Sequence, residues 1–160
     1  MKIHLGWGGN LGDRAACWAA AREALTCRGV RLLRESSIYE TEPVGRKDQP
    51  RFLNGAVEAE SDLTPWQLLI LAKSIEAALG RRSTGKDRPR PIDIDILLMG
   101  ETVLRTAGLT IPHIRLAERR FVLVPLAEIA PGLRHPVLKA AIQTLLRRCP
   151  DPSWVELWPG

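Results

Sequence analysis

Long apolar runs are absent from this sequence: no stretch approaches the roughly 18 apolar residues a membrane-spanning helix needs, so no membrane partner is expected. Aromatic residues make up only 5% of the chain, and no aromatic-rich strand for stacking bases is visible, which argues against nucleic acid as the partner. Cysteine is scarce as well. Cys17, Cys27 and Cys149 have neither paired spacing nor accompanying histidine clusters, so they read as buried thiols and exclude a disulfide frame or a zinc site. The N-terminal MKIHLGWGGNLGDR has too short an apolar run before its Gly and Asn for a secretory signal. A soluble protein of a reducing cytoplasm is expected.

What is present fits one globular domain spanning residues 1–160, large enough to bury a core. Apolar content is 45% and charged content 26%, which gives no sign of disorder. The formal charge of +5 comes mostly from arginine, whose planar guanidinium suits phosphate. Charge alone predicts attraction to anions without saying which anion.

Alternation of Ile3, Leu5 and Trp7 predicts a strand, followed by a glycine-rich turn and a helix from about Leu11 to Cys27 on the stripe Leu11, Ala15, Trp18, Ala21 and Leu25. Val30 to Tyr39 is strand-like, Glu40 to Pro50 a long loop, and Phe52 to Glu60 a strand. With no room for a crossover helix, those two strands should be antiparallel neighbours. Thr64-Pro65 starts a helix that ends at Gly80, with Leu68, Ala72, Ile75 and Leu79 as its buried stripe. A further strand holds RPRPIDIDILLM. The order strand, helix, strand, strand, helix, strand is the α+β, ferredoxin-like βαββαβ arrangement, an antiparallel sheet with helices on its faces. Beyond Gly100, Val103-Leu104 and Leu109 to Ile111 read as short extended pieces. Pro112-His113 reads as a turn, Phe121 to Ile129 as a short helix past Pro125, and Pro136 to Arg148 as a last helix.

In the RPRPIDIDILLM strand Ile92, Ile94 and Ile96 point one way while Asp93 and Asp95 point the other. Two carboxylates roughly 6 to 7 Å apart repel unless a cation lies between them. Magnesium accepts a few carboxylate oxygens and completes its shell with substrate phosphates, so an exposed Asp-x-Asp is a candidate nucleotide-metal site. An ordinary half-buried strand with polar residues outward is the other reading. The preceding RRSTGKDRPR, with five basic side chains and Gly85, favours a polyphosphate ligand, and its crowded charges predict a mobile lid over about Arg82 to Arg88.

Two nucleotide motifs fail on context. Gly80 to Lys86 has phosphate-loop spacing, but Asp87 replaces the required hydroxyl and the segment runs from helix to strand. Gly6, Gly8 and Gly12 resemble a dinucleotide fingerprint with a spacing one residue too long. Gly8 and Gly9 nevertheless let a flat ligand approach the backbone. Phe52 and Asn54 leave two readings open: a core phenylalanine with a turn asparagine, or an aromatic and an amide that match the edge of a pterin or guanine.

Taken together, GGNLGDR, SSIYETEPVG, DQPRFLNGAVE, PRPIDIDILLMG and LTIPHIRLAERRFVLVPLAEIAP closely resemble the bacterial 6-hydroxymethyl-7,8-dihydropterin pyrophosphokinases of folate synthesis. The resemblance implies a monomer with a ferredoxin-like α/β/α sandwich that transfers the β,γ-pyrophosphate of ATP to a pterin alcohol. It implies that Asp93 and Asp95 bind two Mg2+ ions, and that Arg81, Arg90 and Arg119 bind phosphate. Glu76, Ile96, Thr110 and His113 would lie on the ATP side. Phe52 and Phe121 would sandwich the pterin, with Gly8, Asn54 and the backbone at Thr41 and Val44 at its edge. Gly9 differs from the family's usual Ser, Glu42 stands where Pro is frequent, and no Trp precedes Arg88. A ferredoxin-like RNA-binding or interaction module, and a relative that binds pterin or nucleotide without turnover, are the alternatives.

Overall fold

The structure is a computed structural model that describes residues 1–43, 45, 47–80 and 89–160. In chain order the strands and helices are β1 (Lys2–Gly9), α1 (Arg14–Cys27), β2 (Arg31–Glu35), β3 (Tyr39–Thr41), β4 (Phe52–Glu60), α2 (Pro65–Ala78) and β5 (Asp93–Met99). They continue with β6 (Leu104–Arg105), β7 (Thr110–Ile111), α3 (Arg120–Ile129), α4 (Ile142–Arg148) and β8 (Val155–Leu157). The main sheet runs β5-β1-β4-β3-β8, antiparallel at every pairing, with β2 on the other half of β4. If β2 and β3 are counted as one interrupted strand, this is the expected ferredoxin-like core, and the first hairpin pair is antiparallel as anticipated.

Alternation along the strands feeds two cores. Ile3, Leu5, Trp7, Leu53, Val57, Ile94 and Ile96 pack under α1 and α2, whereas Ala56, Leu97 and Leu98 pack with α3 and α4. The register of β1 against β5 shifts between His4 and Leu5, so Leu97 and Leu98 both enter the second core. Such a bulge ends strict alternation C-terminal to the Asp pair without disturbing the pair itself.

Sequence expectations and structure part at the element ends. Helix α1 begins at Arg14 because the Asp13 carboxylate caps it, accepting from the Ala16 N–H at 3.0 Å. At the start of α2 the Thr64 hydroxyl and Gln67 form a reciprocal capping box with Pro65 in the first turn. Helix α3 starts before Pro125 and runs through it. The last helix is shorter than expected: the His135 ring accepts the Val137 and Leu138 N–H groups and Lys139 is left-handed at φ 58°, so regular helix waits until Ile142. Strand β8 has no counterpart in the sequence reading, and the cysteines are not buried thiols: Cys27 is exposed, and Cys17 and Cys149 are half-buried. Among the described residues no helix is long and apolar enough to cross a membrane.

Gly55 sits against the Trp7 indole, which is itself stacked on Trp18 with ring centroids 4.8 Å apart and planes 2° from parallel. A Cβ at Gly55 would lie 2.8 Å from Trp7 Cε2, and the stacked indole has nowhere to move. Gly55→Ala is therefore expected to cost about 1–3 kcal/mol of stability, seen in calorimetry as a midpoint lower by several degrees. An unchanged midpoint would show that the indole pair can slide.

Candidate active site

The sheet register assembles the site. On one side Asp93 and Asp95 of β5 lie opposite Gly8 and Gly6 of β1; Gly8 in turn lies opposite Asn54 of β4, and Phe52 opposite Thr41 of β3. Cross-strand partners share a face, so the carboxylates, the amide and Phe52 rise together. The two glycines leave the floor between them bare. A Cβ at Gly8 would overlap Asn54 Oδ1. The Asn54 amide is fixed by donating from Nδ2 to Thr41 Oγ1 at 2.6 Å. Arg119, Phe121 and Val122, around the start of α3, supply the facing wall of a cavity of about 50 Å³, and Arg90 closes one end.

This cavity gathers Gly8, Thr41, Phe52, Asn54, Arg90, Asp93, Asp95, Arg119 and Phe121, all anticipated from sequence. Thr110 and His113 line a separate groove of about 520 Å³ that also contains Ile114 and His135. Ile96 belongs to the core under α1 and α2, and its side chain does not reach either space. Glu76 is buried at 3% exposure; its Oε2 accepts from the Ile94 N–H at 2.8 Å on the outer edge of β5. Val44, Arg81 and the expected lid over 82–88 lie outside the described residues.

Two residues went unassigned in the sequence reading. Glu42 lines the cavity. Asn10 pins the Arg90 backbone to the first turn, its N–H donating to Arg90 O at 2.9 Å and its Oδ1 accepting from Arg90 N–H at 2.8 Å. Its Nδ2 also donates to Pro50 O at 2.9 Å, joining the segment before Phe52 to the same post. The Gly8-Gly9-Asn10 turn was the available signal.

Charge is balanced across the cavity. Arg90 Nε lies 3.5 Å from Asp93 Oδ2, and the Arg90 and Arg119 guanidiniums sit over the Phe52 and Phe121 rings at 5.0 and 5.6 Å. Burial, then the neighbouring Asp93, pushes Asp95 up to about 7, with Arg119 opposing. Burial, then Arg119, pushes His113 down to about 4, with Asp93 opposing. The Arg115 N–H donates to His113 Nδ1 at 3.2 Å, so the neutral ring carries its proton on Nε2. The donor set suits magnesium: two hard carboxylates, one raised in proton affinity by burial and by its neighbour. Among the described residues no group of three His, Cys, Asp or Glu surrounds a point.

These shifts predict opposed pH effects in metal-free protein. Asp95 holds its proton more tightly folded than unfolded, so between its ordinary 3.8 and about 7 it makes stability fall as pH rises. His113 binds its proton less tightly folded, so between 6.5 and about 4 it makes stability fall as pH drops. Asp95→Asn should unmask the acid-side loss and His113→Gln the loss on raising pH toward 7, read as urea midpoints without divalent metal. Superimposable profiles for wild type and both variants would contradict the assignment.

A sequence model of the family described as 7,8-dihydro-6-hydroxymethylpterin-pyrophosphokinase (HPPK) matches residues 4–131. The chain is 47% identical over 158 residues to a 2-amino-4-hydroxy-6-hydroxymethyldihydropteridine pyrophosphokinase of Methylorubrum extorquens, covering 97% of each chain. It is 45% identical over 156 residues to the Bacillus subtilis protein of that name, covering 97% of this chain and 89% of the relative. Folic acid synthesis protein fol1 of Schizosaccharomyces pombe is 42% identical over 149 residues, but this chain spans only 20% of its length. Among solved structures, an HPPK-DHPS in complex with substrates superposes with a TM-score of 0.71 at 16% identity, over 92% of this chain and 43% of the other. That likeness supports the fold, and the sequence matches carry the kinship: the chain belongs to the 7,8-dihydro-6-hydroxymethylpterin-pyrophosphokinase family.

Proposed function

We propose that this chain is a single-domain, monomeric, cytoplasmic enzyme of folate biosynthesis that transfers diphosphate from ATP to the hydroxymethyl oxygen of 6-hydroxymethyl-7,8-dihydropterin. The alcohol oxygen attacks the β-phosphorus, the bond from that phosphorus to the oxygen of the α-phosphate breaks, AMP leaves with that oxygen and the alcohol proton passes to water. The observation that carries this reading is one cavity in which the Asp93 and Asp95 carboxylates face an amide, two phenyl rings and two arginines.

Each group has a task in that reaction. Asn54 spends one N–H on Thr41, which leaves a second N–H and Oδ1 to read the pterin edge. Phe52 and Phe121 form the walls of the slot, and a pterin entering it takes the place of a guanidinium over a ring, freeing Arg90 for phosphate. Arg119 reaches both the phenyl wall and the phosphate side, and His113 Nε2–H adds a neutral donor there. Thr110 and His113 form the ATP groove; Glu76 acts on it by fixing the edge of β5 through Ile94. Arg81 is a further phosphate ligand in the family pattern. Magnesium held by Asp93 and Asp95, two ions by the family pattern, supplies a lower alcohol pKa, charge screening and in-line alignment.

The test is incubation of the protein with ATP, magnesium and the pterin alcohol. AMP and pterin diphosphate are expected in equal amounts. Well-folded protein that forms neither refutes the reading.

A further inference from the structure

The C-terminal segment, which lies past residue 131 where the family match ends, joins the two walls of the pterin slot. We propose that it is a clasp that sets pterin affinity, with Glu42, Asp151 and Trp154 as positioning residues; this rests on the pterin reading above.

On one wall, β8 pairs with β3 so that Val155 lies opposite Thr41, the partner of Asn54. One residue on, the Glu42 carboxylate accepts the Trp154 N–H at 3.0 Å, while Lys47 Nζ lies 3.7 Å from its other oxygen. Lys47 also donates to Pro43 O at 2.7 Å, which holds the start of the loop against the same carboxylate. Arg51, the residue before Phe52, lays its guanidinium on the Trp154 ring at 4.9 Å. On the other wall, Asp151 Oδ2 accepts the Arg120 N–H at 2.9 Å, one residue before Phe121. Within four residues, Asp151 to Trp154, the chain therefore touches the neighbours of Thr41, Phe52 and Phe121.

None of these groups lines the groove that holds Thr110 and His113. The Trp154 end of the clasp, tied to Glu42 and Arg51, therefore acts on the pterin side, while the Arg120 N–H that Asp151 accepts adjoins Arg119 as well as Phe121. Its physical basis is preorganisation: Phe52 and Phe121 stand on separate elements, and a slot whose walls are tied beforehand spends less of its binding energy on ordering them. The ties are charge-assisted hydrogen bonds to carboxylates, stronger than neutral ones.

The experiment uses the full chain and two probes, the pterin alcohol and a non-hydrolysable ATP analogue. Trp154→Pro deletes both the N–H that Glu42 accepts and the ring on which Arg51 lies. It should raise Kd and KM for the pterin about tenfold while kcat and the Kd of the ATP analogue stay within about twofold. Glu42→Ala combined with Trp154→Pro should bind pterin no worse than the weaker single variant. Additive losses would mean that Glu42 acts by touching the pterin itself, and would overturn the clasp. So would wild-type pterin binding by Trp154→Pro, or equal weakening of both ligands. Unfolding midpoints check each variant; if Trp154→Pro does not fold, Asp151→Ala cuts the opposite tie and must weaken the pterin more than the ATP analogue. Wild-type turnover of the pterin tests the parent reading separately, so a failed clasp and a failed function are told apart.

Discussion

Asp95→Ala is expected to lower turnover by at least about 10³-fold, roughly 4 kcal/mol of barrier, while leaving the metal-free protein at least as stable as wild type. The two halves share a cause. Asp95 lies in the cavity beside Asp93, and burial and that neighbour disfavour its ionised form so that its proton is retained up to about 7. At pH 8 without metal the folded chain carries a penalty that alanine removes. The same unmet charge is the source of affinity for a cation, and an active site that stores such a penalty exchanges stability for function. Initial rates of AMP formation at saturating magnesium and urea midpoints at pH 8 in chelator check the two halves. Turnover within about tenfold of wild type, near 1.4 kcal/mol, would make the metal role of the pair untenable. Asp93→Ala should be comparably slow for a partly different reason, since it also removes the carboxylate 3.5 Å from Arg90 Nε.

Much of this site is legible in the sequence because it is built from local periodicity. Alternation alone places Asp93 and Asp95 on one face and the isoleucines on the other, and burial follows that pattern. What alternation does not contain is register. That Gly8 faces both Asp93 and Asn54 depends on two long-range pairings, and only the family resemblance brought those residues together beforehand. Elsewhere side chains took over backbone roles without a periodic trace. Between β2 and β3 the Ser36 hydroxyl accepts the Ala56 N–H at 2.9 Å, interrupting what reads as one strand from Val30 to Tyr39. The His135 ring delays α4 in the same way. Glu76 lies on α2 outside the apolar stripe read from the sequence, yet the edge of β5 needs an acceptor and the helix supplies it. Strand β8 is three residues long between prolines, and its partner β3 is what makes it a strand.

Asn54→Ala is expected to raise the pterin Kd about 10²-fold, near 2.7 kcal/mol, with the Kd of an ATP analogue unchanged. Asn54 is 6% exposed at the centre of the floor, and no other side-chain amide lines the cavity among the described residues. Without it a pterin still gains the phenyl walls but buries polar edge groups unpaired, at about 1–3 kcal/mol each. The fold should lose only about 1 kcal/mol, because the Thr41 hydroxyl that accepts from Asn54 can rotate to donate elsewhere. Asn54→Asp sharpens the test. It keeps size and an acceptor but replaces the amide donor with a charge on the face that already holds Asp93 and Asp95, so it should bind pterin no better than alanine does. If Asp restored pterin affinity, donation from Asn54 would not be what reads the ring. If alanine weakened pterin and nucleotide equally, Asn54 would be a post that holds β3 to β4 rather than the group that selects the substrate.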